Sequence, residues 1–145
     1  IMAAPLISHI GIAVEDLDAA IERYRLLLGV DPAHVIDVPD QKVRVAIFAA
    51  TGFPGGRVEL LQATSTDSPI ARYVSKRGEG LHHLCIYVDD IGAKLVELKA
   101  AGFELIDESP RIGAEGNRIA FVHPGGANGV LIELEELQRK STPAM

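Results

Sequence analysis

The feature that most constrains this chain is a repeat inside it. Residues 9–14 read His-Ile-Gly-Ile-Ala-Val and residues 83–88 read His-Leu-Cys-Ile-Tyr-Val, an offset of 74 residues. The same offset carries Val58-Glu59-Leu60 onto Ile132-Glu133-Leu134. A period of this length marks one structural unit used twice, and a unit too small to cover its own sheet must pack against its copy. The repeat places His9, Glu59, His83 and Glu133 at equivalent positions. Two imidazoles and two carboxylates are the right number and chemistry for one divalent metal ion.

Bulk properties exclude several alternatives. At 145 residues the chain suits one compact domain, 1–145, with a real core. Its expected organisation is a first module over about 6–62, a connector over 63–80 and a second module over about 81–136. No apolar run reaches the roughly 18 residues of a membrane span. A formal net charge of −6 argues against nucleic acid, which needs a basic face. The single cysteine, Cys85, rules out an internal disulfide and fits a reducing compartment. A cytoplasmic location is the expectation, or the mitochondrial matrix if a presequence has been removed.

Each half reads as strand, helix, then two or three strands. Residues 7–14 are strand-like. Asp16 is a helix N-cap, and Leu17, Ile21, Tyr24 and Leu28 line one helical face that Gly29 ends. A loop containing Pro32 and Pro39 leads to strands at 43–50 and 57–62. Asp67-Ser68-Pro69 starts a short connector helix, with Ile70, Tyr73 and Val74 as its apolar stripe. In the second half a strand over 82–88 precedes a helix with Ile91, Leu95 and Leu98 on one face. Strands follow at 103–106, 118–123 and 130–134, and the tail after Gln138 is polar.

Alternation along a strand sets which residues share a face. His9, Gly11 and Ala13 oppose Ile10, Ile12 and Val14, and His83, Cys85 and Tyr87 oppose Leu84, Ile86 and Val88. The aliphatic faces are expected to meet the helices and the histidine faces to look into a concavity. Glu59 and Glu133, each between aliphatic neighbours, point the same way, and a carboxylate there needs a cation or hydrogen bonds. Imidazole and carboxylate donors suit Co, Ni, Zn, Mn or Fe. Four protein ligands in an octahedral shell leave two positions to chelate two substrate oxygens, so the metal can stabilise a developing oxyanion. Blander roles go to the remaining residues. His82 should face away from His83, His34 and His123 lack repeat partners, and Cys85 reads as a small buried hydrophobe. Arg57, Arg72, Lys76 and Arg77 read as a solvated face. The glycines at 52, 55 and 56 form no phosphate loop.

On these residues the chain resembles the vicinal oxygen chelate (glyoxalase-type) superfamily and, within it, the methylmalonyl-CoA epimerase family. The resemblance is carried by His9 to Val14, by Val58-Glu-Leu-Leu, by Asp67-Ser-Pro-Ile and by Gly80 to Ile86. The most specific run extends from Pro110 through Gly129-Val-Leu-Ile-Glu-Leu. It implies an α+β fold of two paired βαβββ modules in a cupped mixed sheet with helices on the outer face. It implies His9, Glu59, His83 and Glu133 as ligands of one divalent ion, and Glu133 also as catalytic base. The activity implied is metal-dependent epimerisation of (2R)- and (2S)-methylmalonyl-CoA through an enolate, with a small acyl-CoA as partner, no membrane or nucleic acid, and a homodimer.

Two departures qualify that reading. Some members carry glutamine where Glu59 stands and a catalytic glutamate where this chain has Val45, so Asp40, Glu59, Glu115 or a water is left to move the second proton. Lys42 replaces the family's glycine, and the loop at 52–56 is longer, which points to a different substrate loop. A lactoylglutathione lyase or related isomerase of the fold is the alternative enzyme, and a non-catalytic small-molecule-binding protein of the fold is the alternative outside catalysis.

Overall fold

In a computed structural model that describes residues 5–138, the two half-chains share one eight-stranded mixed sheet. The first module comprises β1 (Ile7–Ala13), α1 (Leu17–Leu28), β2 (His34–Val38), β3 (Val43–Phe48) and β4 (Arg57–Ala63). After α2 (Pro69–Arg77) come β5 (Gly80–Val88), α3 (Ile91–Ala100), β6 (Arg111–Ile112), β7 (Arg118–Val122) and β8 (Ile132–Glu136). The spatial order is β2-β3-β4-β1-β5-β8-β7-β6. β1–β4 and β5–β8 run parallel, while β1 and β5 meet antiparallel at the centre. Across that seam His9 faces Cys85, Ile10 faces Leu84 and Gly11 faces His83, so an approximate twofold axis passes through the Ile10–Leu84 pair.

The helices form where caps and apolar spacing coincide. The Asp16 and Asp90 carboxylates, 74 residues apart, accept from Ala19 N (3.1 Å) and Ala93 N (3.0 Å) respectively, each cap contributing about 1 kcal/mol. Gly29 ends α1 in the left-handed region at φ 73°, where it carries no Cβ penalty. Leu17 and Ile21 bury against Ile12, Val14 and Leu60, while Ile91 and Leu95 bury against Val88, Val122 and Leu134. These two cores lie on the aliphatic faces of β1 and β5, as alternation requires. Leu28, assigned to the buried face of α1, is 41% exposed. Among the described residues, no helix is long and apolar enough to cross a membrane.

The structure departs from the sequence expectation at several places. α2 lies inside the cup rather than on its outer face: Ile70, Tyr73 and Val74 pack on Val43, Val45, Ile47 and Leu61, on the same side of the sheet as Ala13. β2 occupies part of the expected proline-bracketed loop, pairing at the sheet edge with β3. Residues 103–106 form a single bridge, Leu105 to Val122, not a strand. The amides of Ile106 and Asp107 both reach Phe121 O, so the ladder cannot advance there. β6 takes its place at Arg111–Ile112, and β8 begins at Ile132 rather than Val130. The polar tail after Gln138 lies outside the described residues.

Two irregularities matter more for the site. β1 spends one extra residue, Ser8, between the pairs Ile7–Ile86 and His9–Cys85. β5 spends one extra residue, His82, between Gly11–His83 and Ile12–Leu81. Each is a β-bulge immediately before a repeat histidine. A bulge locally breaks the in–out alternation, so two successive side chains reach the same side. That is why His82, expected to face away from His83, instead sets its Nδ1 2.9 Å from His83 Nδ1.

Candidate active site

On the cupped face the central strands bring three of the four predicted ligand residues to one point. His9 Nε2 lies 3.0 Å from Glu133 Oε1, His83 Nε2 lies 3.0 Å from the same oxygen, and the two Nε2 atoms are 3.1 Å apart. Gly11 makes this approach geometrically available: a Cβ on it would stand 2.1 Å from His83 Cε1. Glu59 is placed beside the cluster rather than in it, with Oε2 3.3 Å from His9 Nδ1 and no hydrogen bond made by that buried oxygen. All four side chains are buried. Cys85 lies fully buried beside them, its sulfur within 4.8 Å of one donor atom each of His9 and Glu133, and its burial raises the thiol pKa.

The electrostatics follow from burial and proximity. Burial alone would raise the Glu133 carboxyl, but hydrogen bonds from His83 and His9 outweigh it and hold the group well below the usual carboxylate range. Burial pushes Glu59 up to about 7; the charge of His9 opposes the shift and that of Glu133 adds to it. For His9, burial disfavours the charged form, yet the Glu133 hydrogen bond and the charges of Glu59, Glu133 and Glu135 raise its pKa overall.

A second buried network, which the sequence reading does not contain, backs His9. Arg57, expected on a solvated face, is only 6% exposed. Its Nη2 donates to Ser8 Oγ (2.8 Å) and to Glu135 Oε1 (3.1 Å), and its Nη1 donates to Tyr87 Oη (2.7 Å). The Ser8 hydroxyl donates to Glu135 Oε1 (2.6 Å), and Asn117 Nδ2 donates to Glu135 Oε2 (2.6 Å). Alternation offered a signal for two of these residues, because Arg57 lies two positions from Glu59 and Glu135 two from Glu133 on the same strand faces. Ser8 carried no such signal, since only the bulge turns it inward.

The cluster forms the floor of a cavity of about 230 Å³ whose walls include Val45, Ile70, His82, Ile119 and Phe121. Burial, reinforced by neighbouring His83, lowers the His82 pKa to about 4, keeping that ring neutral. Asp40 and Glu115 also line the cavity. Asp40 is exposed, and Glu115 is drawn to Arg57 Nε at 3.4 Å. His34 is exposed at the start of β2, and His123 Nδ1 accepts from Gly125 N (2.9 Å). Lys42 adopts a left-handed conformation (φ 55°), a region that glycine enters without a Cβ penalty, and its ammonium pairs with Asp67.

Three donor atoms about 3 Å apart fit a divalent ion, and a further buried, unsatisfied carboxylate oxygen, Glu59 Oε2, lies beside the outer nitrogen of His9. Bonds of about 2.1 Å to such an ion separate neighbouring ligands by about this distance. Without a cation or shared protons the same atoms would repel.

Comparison with known proteins accords with this architecture. Residues 8–121 match the Glyoxalase/Bleomycin resistance protein/Dioxygenase superfamily. The chain is 37% identical to human mitochondrial methylmalonyl-CoA epimerase over 131 residues, covering 90% of this chain and 73% of that protein. It is 39% identical to the ethylmalonyl-CoA/methylmalonyl-CoA epimerase of Cereibacter sphaeroides, covering 90% and 97%. A Streptomyces coelicolor methylmalonyl-CoA epimerase variant in complex with 2-nitronate-propionyl-CoA superimposes with a TM-score of 0.86 at 33% identity, covering 97% of this chain and all (100%) of that one. The chain belongs to the glyoxalase superfamily and, within it, to the methylmalonyl-CoA epimerase family.

Proposed function

We propose that this protein epimerises methylmalonyl-CoA at C2 and that His9, Glu59, His83 and Glu133 hold one divalent ion for the reaction. What supports the reading is the convergence of His9 Nε2, His83 Nε2 and Glu133 Oε1 on the floor of a cavity, in a chain whose relatives carry this activity in their names. When bound, the ion would supply Lewis-acid stabilisation of negative charge developing on substrate oxygens.

The chain's own residues supply the rest. Glu133 is the base on one face of C2. Val45, which has no proton to give, leaves the other face to a carboxylate elsewhere. Glu115 is drawn to Arg57 and Asp40 stands exposed at the cavity, so Glu59, whose Oε2 is buried without a hydrogen bond, is the candidate for the second proton. Val45, Ile70, Ile119 and Phe121 exclude water from the carbon acid. The cytoplasm, or the mitochondrial matrix as in the name of the human relative, is the compartment proposed with this activity.

The deciding experiment incubates metal-loaded protein with (2S)-methylmalonyl-CoA in D₂O and follows deuterium at C2 and stereochemistry together. Exchange with racemisation that stops on chelation is the expected result. Tight metal binding with no exchange would remove methylmalonyl-CoA as substrate, and a glutathione hemithioacetal would then be tried.

A further inference from the structure

The two β-bulges place one side chain against the outer nitrogen of each repeat histidine. Ser8 Oγ lies 2.9 Å from His9 Nδ1, and His82 Nδ1 lies 2.9 Å from His83 Nδ1. Ser8 and His82 are themselves separated by the repeat offset of 74 residues. Their hydrogen-bonding capacities differ. The only hydroxyl proton of Ser8 goes to Glu135, and Arg57 can only donate, so Ser8 Oγ has nothing left to offer His9 except a lone pair. His9 therefore carries hydrogen on Nδ1 in either charge state. His82 is different, because a neutral imidazole nitrogen can donate or accept according to tautomer.

We propose that Ser8 and His82 are the positioning residues that set the tautomers of the two repeat histidines, Ser8 as a fixed acceptor and His82 as a partner able to reverse its role. With no cation present, His83 Nε2–H donates to Glu133 and His82 Nδ1–H donates to His83 Nδ1. When a cation takes His83 Nε2, the His83 hydrogen resides on Nδ1 and donates to His82, whose own hydrogen moves to Nε2. Each ring keeps one proton, so the exchange releases none. His9 keeps Nδ1–H throughout and gives up only the Nε2–H that its charged form donates to Glu133, so one half of the site is preset in tautomer while the other adapts. The consequence for metal binding rests on the function proposed above; the tautomers do not.

Ring-nitrogen NMR of histidine-labelled protein tests this without activity. In chelator, His9 should show Nδ1–H, His83 Nε2–H and His82 Nδ1–H. With Zn²⁺, His9 should keep Nδ1–H while His83 and His82 exchange theirs. An Nδ1 of His9 without hydrogen, or a His82 tautomer that does not change on Zn²⁺ binding, would overturn the proposal. Replacement His82→Phe keeps an aromatic ring against Tyr73 and removes the partner; Co²⁺ affinity should fall about 10- to 100-fold, the usual effect of losing an outer-shell hydrogen bond. Unchanged Co²⁺ affinity there would also overturn the role of His82. Ser8→Ala should weaken Co²⁺ binding similarly, and if that variant does not fold, the His9 ring spectrum of the unaltered protein still decides its half. A protein that binds no divalent ion would sink the metal reading while leaving the metal-free tautomers to judge Ser8.

Discussion

The halves of this molecule agree where they hold the candidate ligands and disagree around them. At the same offset of 74 residues, Arg57 answers to Leu131, Glu135 to Leu61, Asn117 to Val43 and Ser8 to His82. One flank of the site is thus a buried ionic network of Ser8, Arg57, Asn117 and Glu135. The other is apolar, with Val43, Val45 and Leu61 packed beneath α2. The difference teaches that duplication fixes the backbone and donor positions, while each wall is free to specialise. The ionic wall holds His9 from behind, and the apolar wall shapes the cavity.

Substitutions can break or sharpen that contrast. The largest effect is expected where the halves are alike: Glu133→Ala should lower turnover by at least about 10²- to 10⁴-fold, the usual range for losing a general acid–base group. Steady-state kinetics on methylmalonyl-CoA would read it, and full retained activity would remove Glu133 from the mechanism. Next comes Arg57→Leu, which copies Leu131 into the first half and leaves Glu135 buried without its cation. Denaturant unfolding should show a loss of about 3–5 kcal/mol. The double variant Arg57→Leu/Glu135→Leu imports the apolar pair of the other half and should recover at least half of that loss. If the double variant is no better than the single one, the ionic wall is not held together by this pair.

A smaller effect belongs to Gly11, whose repeat counterpart is Cys85. The added methyl of Gly11→Ala would drive into the His83 ring, costing about 1–3 kcal/mol of stability and weakening metal binding. Calorimetry on the variant checks both, and unchanged values would mean the ring has room to move. The smallest is a slope in pH. Folding raises the pKa of Glu59 from 4.5 to about 7 and raises that of His9 above 6.5. In both cases the folded state binds the proton more tightly, so the contribution to stability is greatest at low pH and is lost as pH rises through the folded values. His82, lowered to about 4, acts in the opposite sense between pH 5 and 6.5, so the comparison is made in His82→Phe protein. Metal-free, that variant should melt at lower temperature at pH 8 than at pH 5, and adding Glu59→Gln should flatten the slope. A melting temperature that rises across this range would contradict the assigned directions.

Much of this was legible in the sequence because period and alternation are local properties. His9, His83, Glu59 and Glu133 follow from the repeat, and the outward faces of β1 and β5 follow from the two-residue period. What escaped was whatever broke the period. Ser8 and His82 sit at bulges, and a single inserted residue reverses every inference about facing. Arg57 is read as a surface residue because its partner, Glu135, is 78 residues away along the chain. β2 hides between Pro32 and Pro39 as an edge strand with mostly exposed side chains. The interior position of α2 could not be read from its own stripe, which says only that one face is buried and not against which side of a sheet.

The central seam has a kinetic meaning. β1 and β5 belong to different halves, and the contacts between His9, His83 and Glu133 close loops of 74 and 124 residues. Such closures are slow because chain entropy is lost before the distant contacts repay it. Neither half can assemble the cluster alone, so a nascent chain remains unable to grip a ligand there until β8 has docked. Capture of the ligand would then report completion of folding and add its own binding energy to the finished state alone.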